Sequence, residues 1–326
     1  RLPAMAIKVY DTMRRQTVAL EPRDPGKISM YLCGPTVYNF IHIGNARTVI
    51  WYDQIRRYLT YRGYSVTFVM NYTDVDDKII ERANIEGISP DAISSKYAQA
   101  FQEDMAALKM SPPDILALAT THIGDMTKAI EGLIERGAAY ESDGDVFFAV
   151  EHFDGYGQLS GRSLEDMRAG ERVEANPSKR HPMDFALWKA AKEGEPTWPT
   201  PWGPGRPGWH LECSAMALRH LGPTFDIHTG GEDNVFPHHE DEIAQSEGAL
   251  GHRVVTTWMH GEFLTMDDAK MAKSAGNIIR VAPLKTLEEE FSPGFLRVHR
   301  NALVNTKYLE RIARDASGQH FVHLRG

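Results

Sequence analysis

The chain has 326 residues, of which 42% are hydrophobic and 10% aromatic, and its formal net charge is −8. This composition predicts two or three folding units with a substantial buried core, and the charge excludes a surface that is cationic throughout, although a local basic patch can still bind phosphate. Because the sequence has no run of about eighteen apolar residues and no apolar signal-peptide stretch at its start, we expect a cytoplasmic protein without a membrane span.

The first part of the chain alternates strand and helix signals. A buried strand is predicted at residues 29–33, a helix at 45–61 and a second apolar strand at 65–71. This order predicts a βαβ unit of an α/β protein, in which ligands bind beyond the carboxyl ends of the strands. Cys33 and Thr73 stand at those two ends.

The later segments carry weaker signals. Residues 89–136 are predicted to form two helices, as an insertion. Residues 176–208, rich in proline, glycine and lysine, are predicted to form long surface loops. Helices are then predicted at 209–220 and 237–248, on either side of a short strand at 225–228.

Two cysteines, Cys33 and Cys213, occur in the whole sequence, too few for a closed cysteine-rich zinc finger. Farther along the chain, His238 and Glu242 stand at positions i and i+4 of a predicted helix, on one face. Two thiolates, one imidazole and one carboxylate make a four-coordinate zinc set. The pattern therefore indicates a metal site built from distant segments.

The residues alone leave two alternatives open. Two cysteines in a chain of this size are more often small buried hydrophobic residues than metal ligands. Spacing also leaves His239 and Glu240 as rival ligands, since they neighbour His238 at the start of the same helix.

Two further segments suit phosphate chemistry. His42 to Asn45 lies between a predicted strand and a helix start, where free backbone N–H groups favour anions. Lys270 and Lys273 stand in a polar loop, where two ammonium groups could neutralise the charge that develops on a departing pyrophosphate. A surface turn and two solvated lysines are the ordinary explanations of these patterns.

Seven segments, in register over about residues 7–280, resemble cysteinyl-tRNA synthetase, a class I aminoacyl-tRNA synthetase. They are YLCGPTVY at 31–38, HIGNAR at 42–47, NYTDVDDK at 71–78, DFALWK at 184–189, GWHLECSAM at 208–216, FDIHTGGEDNVFPHHEDEIAQ at 225–245 and KMAKSAGN at 270–277. The resemblance implies an α/β fold with a Rossmann-like parallel sheet. It divides the chain into a first catalytic half (1–88), a connective insertion (89–207) and a second catalytic half (208–282).

The resemblance also implies roles for individual residues. The implied zinc ligands are Cys33, Cys213, His238 and Glu242, and the sulfur of the substrate joins them on the metal. The amino-acid pocket is implied to include Gly34, Thr73 and Trp209, with a core position as the alternative for the tryptophan. The implied ATP-binding residues are His42, Asn45, Asp233 and Lys273, and the implied catalytic residues are His42, Asn45, Lys270 and Lys273.

The reaction implied by the resemblance is activation of L-cysteine with ATP and Mg²⁺, followed by transfer to tRNA(Cys), in a monomer. A thiol deprotonates on zinc and binds strongly, whereas a serine hydroxyl is a poor ligand, so the metal would select the substrate. Two alternatives are a cysteine ligase of the mycothiol-pathway type and a catalytically silent zinc protein with a nucleic-acid-binding tail.

Two features depart from the family pattern. Ala272 stands where the signature loop of the family usually has serine. Residues 283–326 resemble the second half of a LytTR-type DNA-binding domain instead of the linking and anticodon-binding regions of the family. We expect a truncated synthetase joined to a short, incomplete β-rich tail, with tRNA charging impaired. DNA binding by this tail is not expected, because the first strands of that domain are absent.

Overall fold

A computed structural model describes residues 6–165, 167, 176–266, 269–279 and 281, and four short strands between 295 and 324. The strands are β1 (Lys8–Asp11), β2 (Gln16–Ala19), β3 (Lys27–Leu32), β4 (Ser65–Tyr72), β5 (Ile115–Leu118), β6 (Ala139–Ser142), β7 (Asp145–Phe148), β8 (Phe185–Ala190), β9 (Gly205–Pro207), β10 (Phe225–Gly231), β11 (Val255–Gly261), β12 (Thr265–Met266), β13 (Ala269–Lys270), β14 (Phe295–His299), β15 (Ala302–Asn305), β16 (Leu309–Arg314) and β17 (His320–Leu324). The α-helices are α1 (Ile43–Tyr61), α2 (Asp77–Glu86), α3 (Pro90–Ala107), α4 (Ile123–Glu135), α5 (Trp209–Leu221) and α6 (Glu240–Leu250), and a π-helical turn (Val235–His239) leads into α6.

The centre of the described structure is a parallel sheet of five strands in the order β11-β10-β3-β4-β5. The predicted βαβ unit is confirmed, because β3 and β4 pair in parallel and α1 connects them. The predicted strand at 225–228 is β10, which lies beside β3 in the middle of the sheet. The α/β fold class inferred from the sequence is therefore confirmed.

The central strands are buried on both faces, and alternate residues point into two different cores. Met30 and Met70 belong to the cluster that α1, α2 and α3 cover. Tyr31 and Val69, the adjacent residues, belong to the cluster that α4, α5 and α6 cover. This alternation follows from the twofold repeat of a strand, and it gives a three-layered domain with helices on both faces.

Two predictions about the middle of the chain are wrong or incomplete. Residues 89–136 contain, besides two helices, the short strand β5, which pairs with β4 at the edge of the parallel sheet. Residues 176–208 contain β8 and β9, which complete a four-stranded antiparallel sheet with β6 and β7. Leu187 and Trp188 are fully buried in β8. This burial overrides the turn-forming composition of the flanking residues.

The C-terminal strands form two antiparallel hairpins, β14 with β15 and β16 with β17. This agrees with the expected β-rich tail. Residues 282–294, where the resemblance to a LytTR-type domain begins, lie outside the described residues. Among the helices that the structure describes, none combines the length and the apolar character needed to cross a membrane.

Candidate functional site

The four predicted metal ligands come together beyond the carboxyl edge of the parallel sheet. Cys33 directly follows β3, Cys213 lies in α5, and His238 and Glu242 lie on the π-helical turn and the first turn of α6. The Sγ atom of Cys33 lies 3.5 Å from Sγ of Cys213 and 3.2 Å from Nε2 of His238. That nitrogen lies 3.1 Å from Oε1 of Glu242. Segments that are about 200 residues apart in sequence thus meet at one point.

These separations can be compared with the geometry of a zinc site. Two atoms bound to one tetrahedral zinc, at about 2.3 Å for sulfur and about 2.0–2.1 Å for nitrogen or oxygen, are about 3.3–3.8 Å apart. Each of the three observed separations is a few tenths of an ångström shorter than the value for its own pair of atoms. Oε1 of Glu242 is buried and has no hydrogen-bond partner among the described residues. The donor set and its geometry therefore fit a zinc ion.

His239 is a rival ligand in the structure as well as in the sequence. Donor atoms of Cys33, His238, His239 and Glu242 all lie within 4.8 Å of one another, a grouping that does not include Cys213. However, Nε2 of His239 is 3.8 Å from Glu242, and its Nδ1 contacts Nε2 of His260 at 2.7 Å. We favour Cys213, because a sulfur–sulfur distance of 3.5 Å fits two thiolates on one ion.

Glu240, the other rival, is engaged elsewhere. Its two carboxylate oxygens accept hydrogen bonds from the backbone N–H groups of Leu159 and Ser160, at 3.3 and 2.8 Å. The neighbouring Asp241 accepts a hydrogen bond from the Tyr156 hydroxyl. Both side chains therefore hold the 156–160 segment against α6.

Burial alone would leave the candidate ligands uncharged. It raises the pKa of the Cys213 thiol, to which Cys33 also contributes, and raises the pKa of Glu242. It also lowers the pKa of His238 well below its usual value. Ionised sulfur and carboxylate at this depth require a compensating positive charge, which a divalent cation would supply.

A chain of polar contacts orients the His238 ring. Nε2 of His210 lies 3.3 Å from a carboxylate oxygen of Asp241, and its Nδ1 lies 2.9 Å from Nδ1 of His238. Burial lowers the pKa of His210 to about 3, so this ring is neutral. If its Nε2 carries the proton toward Asp241, then His238 donates from Nδ1 and the Nε2 lone pair faces Cys33. This is the arrangement typical of a histidine that binds a metal.

The predicted amino-acid pocket lies beside these donors. A Cβ atom on Gly34 would lie 1.7 Å from the carbonyl oxygen of Asn71, so only glycine fits there. The Thr73 hydroxyl donates to Glu212 at 2.7 Å, and both side chains are buried. The Trp209 ring stacks on His238 at 4.2 Å between centroids. At 38% exposure, this tryptophan is not a core residue, and its role in the amino-acid pocket stays a prediction.

The predicted nucleotide-binding residues gather at the start of α1. His42 is the N-cap residue, and its ring accepts from the Asn45 N–H while the Asn45 side chain accepts from the His42 N–H, both at 3.3 Å. Lys273 lies 3.5 Å from the carbonyl oxygen of Asn39. Burial lowers the pKa of Lys273 to about 8, and it also lowers the pKa of His42, to which Lys273 contributes.

The other lysine of the loop is paired. Lys270 Nζ lies 3.0 Å from Oδ2 of Asp233, a residue just beyond β10. This contact joins the lysine loop to the segment that leads into α6. Lys273, Asp233 and Lys270 each lie close enough to His42 to affect its pKa. All the predicted nucleotide residues therefore share one end of the sheet.

Several polar residues of the site escaped the sequence reasoning. Asn71 accepts from the Gly34 N–H at 2.9 Å and lies 3.7 Å from Sγ of Cys213. His228 contacts Glu242 at 2.7 Å from within β10. Both are polar residues inside central strands of the sheet, where burial is expected, and that position was the available signal.

Comparison with known proteins agrees with this geometry. The sequence profile of the family described as tRNA synthetases class I (C) catalytic domain matches residues 19–315. The chain belongs to this family. The matched range ends at residue 315, so it includes most of residues 283–326, which the sequence analysis compared with a LytTR-type domain. A boundary near residue 283 stays a prediction.

Curated relatives of this class I synthetase catalytic domain are named cysteine--tRNA ligase. The one from Pelotomaculum thermopropionicum is 52% identical over 302 residues, which are 93% of this chain and 61% of the relative. The one from Pelobacter propionicus is 54% identical over 293 residues, or 90% of this chain and 59% of the relative. The chain thus spans about three fifths of the length of these relatives.

A solved structure shares the fold of this class I synthetase domain. Mycobacterium tuberculosis methionyl-tRNA synthetase in complex with methionyl-adenylate superposes with a TM-score of 0.58. It is 19% identical, and the match covers 81% of this chain and 62% of the other. At this identity the likeness supports the fold alone.

Proposed function

We propose that this catalytic domain activates L-cysteine with ATP to give cysteinyl-adenylate and then transfers the cysteinyl group to tRNA(Cys). One observation carries the proposal. Four donor atoms beside Thr73 and Trp209 lie close to the separations expected around one zinc ion: two sulfur atoms, an imidazole nitrogen and a carboxylate oxygen that is buried and has no hydrogen-bond partner among the described residues. The names of the relatives point to the same substrate.

Cys33, Cys213, His238 and Glu242 would hold zinc in this proposal. When bound there, the ion supplies a soft Lewis acid that accepts the substrate thiolate. A hydrophobic pocket discriminates weakly between isosteric side chains, but a site that demands a specific polar partner reaches ratios of about 10⁴ or more. Serine is therefore rejected at the binding step.

The protein's own residues position the other reactants. The Trp209 ring, which is already fixed against His238, closes one side of the amino-acid pocket, and Thr73, which is held by Glu212, closes another. The start of α1, beside His42, suits the phosphates of ATP, because the positive end of the helix dipole favours anions. These contacts bring the cysteine carboxylate close to the α-phosphate.

Adenylation forms a bond between a carboxylate oxygen and the α-phosphorus and breaks the bond to the β,γ-pyrophosphate. Negative charge therefore grows on the leaving group. Lys273 and Lys270 stand at this end of the sheet, and their ammonium groups, together with Mg²⁺, would stabilise that charge. Lys270 would have to exchange its contact with Asp233 for the pyrophosphate.

The decisive experiment is ATP–pyrophosphate exchange with the zinc-loaded protein. We expect exchange that depends on L-cysteine and falls by at least about 10⁴-fold when L-serine replaces it. Charging of a tRNA(Cys) transcript, measured in parallel, tests the transfer step separately. Absence of cysteine-dependent exchange from a folded, zinc-loaded sample would refute the proposal.

A further inference from the structure

An ion-pair network joins the antiparallel sheet to α2, the helix that follows β4 of the parallel sheet. Asp77, the first residue of α2, accepts from the Lys189 ammonium at 2.7 Å and also from the Arg206 guanidinium. Lys189 and Arg206 face each other across β8 and β9. We call these three residues the Asp77 bridge.

The Asp77 bridge is built around a buried cation. The Arg206 side chain is only 3% exposed, and its Nε donates to Glu195 at 2.8 Å. Burial acts to raise the pKa of Asp77, but Lys189 and Arg206 outweigh burial and hold it below its usual value. The carboxylate of Asp77 is thus ionised and engaged by cations from a sheet formed by another part of the chain.

The Asp77 bridge lies close in sequence to both walls of the pocket. Asp77 comes four residues after Thr73 and begins the helix that follows β4. Arg206 comes three residues before Trp209, and the intervening Gly208 donates its N–H to the Leu187 carbonyl at 2.8 Å.

The segment between Arg206 and Trp209 has little freedom. A Cβ atom on Gly208 would lie 1.9 Å from the carbonyl oxygen of Ala186, so the backbone packs tightly against β8. A shift of β9 relative to α2 would therefore also move the start of α5. That shift would change the distance between Trp209 and Thr73.

We propose that Asp77 is a positioning residue that sets the width of the amino-acid pocket. It holds the Trp209 wall, through Lys189 and Arg206, at a fixed distance from the Thr73 wall. The inference rests on the proposed function and adds to it a residue that does not touch the substrate. Because misplacement by about 1 Å can cost up to about 10²-fold in rate, an effect on cysteine binding of about tenfold is expected.

The test is Asp77→Asn in ATP–pyrophosphate exchange. We expect the KM for cysteine to rise about tenfold, while the KM for ATP and kcat change less than about twofold. Asp77→Glu, which keeps the charge, should bring the KM for cysteine back to within about threefold of wild type. The variant should fold, because Asp77 is 58% exposed and Arg206 keeps Glu195 as a partner. Its Tm should fall by less than about 4 °C.

Glu86→Gln is the matched control. Glu86 ends the same helix and also binds two cations, Arg82 at 2.6 Å and Lys96 at 2.9 Å, but both belong to the α2–α3 pair. It should leave the KM for cysteine unchanged. An unchanged KM for cysteine in Asp77→Asn, or an equal rise in Glu86→Gln, would overturn the proposal.

Hydrogen exchange provides a second readout that does not need activity. Backbone amides of residues 205–213 should exchange faster in Asp77→Asn than in wild type, and not in Glu86→Gln. If wild type shows no cysteine-dependent pyrophosphate exchange, the proposed function fails, yet amide exchange still decides whether Asp77 holds this segment. Equal amide exchange in all three proteins would refute the positioning role.

Discussion

The choice between Cys213 and His239 as the fourth zinc ligand can be tested directly with Cys213→Ser. Serine is nearly isosteric with cysteine, but its hydroxyl does not deprotonate on zinc near neutral pH. A four-ligand zinc site contributes about 10–16 kcal/mol in total, hence about 2.5–4 kcal/mol for each ligand. Since about 1.4 kcal/mol is a factor of ten, we expect zinc affinity to fall by about 10²- to 10³-fold.

The assay is competition for zinc with a chromophoric chelator at pH 7. Ser214→Ala is the matched control, because Ser214 is the next residue of α5, is equally buried, and donates to Gln245 at 2.6 Å. It should leave zinc affinity within about threefold of wild type, since it removes no candidate ligand. Circular dichroism of the metal-free proteins should show that Cys213→Ser retains its fold.

His239→Asn completes the comparison. If Cys213 is the ligand, loss of His239 removes only a neighbouring ring and its contact with His260, and zinc affinity should fall by no more than about 10- to 100-fold. The opposite result is a zinc affinity that falls more than 10²-fold in His239→Asn and hardly changes in Cys213→Ser. It would show that His239, and not Cys213, is the fourth ligand.

Two further predictions concern other parts of the site. Burial lowers the pKa of Lys273 to about 8, so its charge is lost as the pH rises through that value and pyrophosphate exchange should decline. Lys273→Arg should move this decline above about pH 10, because a guanidinium stays protonated. If pyrophosphate exchange declines at the same pH in both proteins, Lys273 is not the group responsible. Gly34→Ala should lower the free energy of unfolding in urea by about 1–3 kcal/mol, because its Cβ would collide with the Asn71 backbone. Gly124→Ala, where no atom lies within 4 Å of the added carbon, should leave that free energy unchanged or slightly higher, and an equal loss in both variants would contradict the steric argument.

The sequence predicted the centre of the fold because its strands are long apolar runs with a helix between them. It missed β5, which has four residues and follows two prolines, so that neither length nor alternation marks it. It missed β8 and β9 because their flanking residues are typical of turns. Burial of Trp188 against the rest of the protein stabilises β8, and no local pattern reports that.

The candidate site likewise contains residues that the sequence predicted and contacts that it missed. The His238 and Glu242 pair was visible because both lie within one turn of helix, and the cysteines were visible because they are rare. The contact between Asp77 and Arg206 joins residues 129 positions apart, and both are ordinary charged residues. Such pairings depend on how two sheets pack, which spacing along the chain does not encode.

The first turn of α6 has three consecutive carboxylates that bind different partners. Glu240 accepts from the Ser160 backbone, Asp241 from Tyr156, and Glu242 offers an oxygen to the candidate metal. Because these residues share one rigid turn, residues 156–160 cannot move away from α6 without breaking buried hydrogen bonds. Any hinge between the predicted insertion and the predicted catalytic half must therefore lie elsewhere, and residues 156–160 should move with α6 as one body.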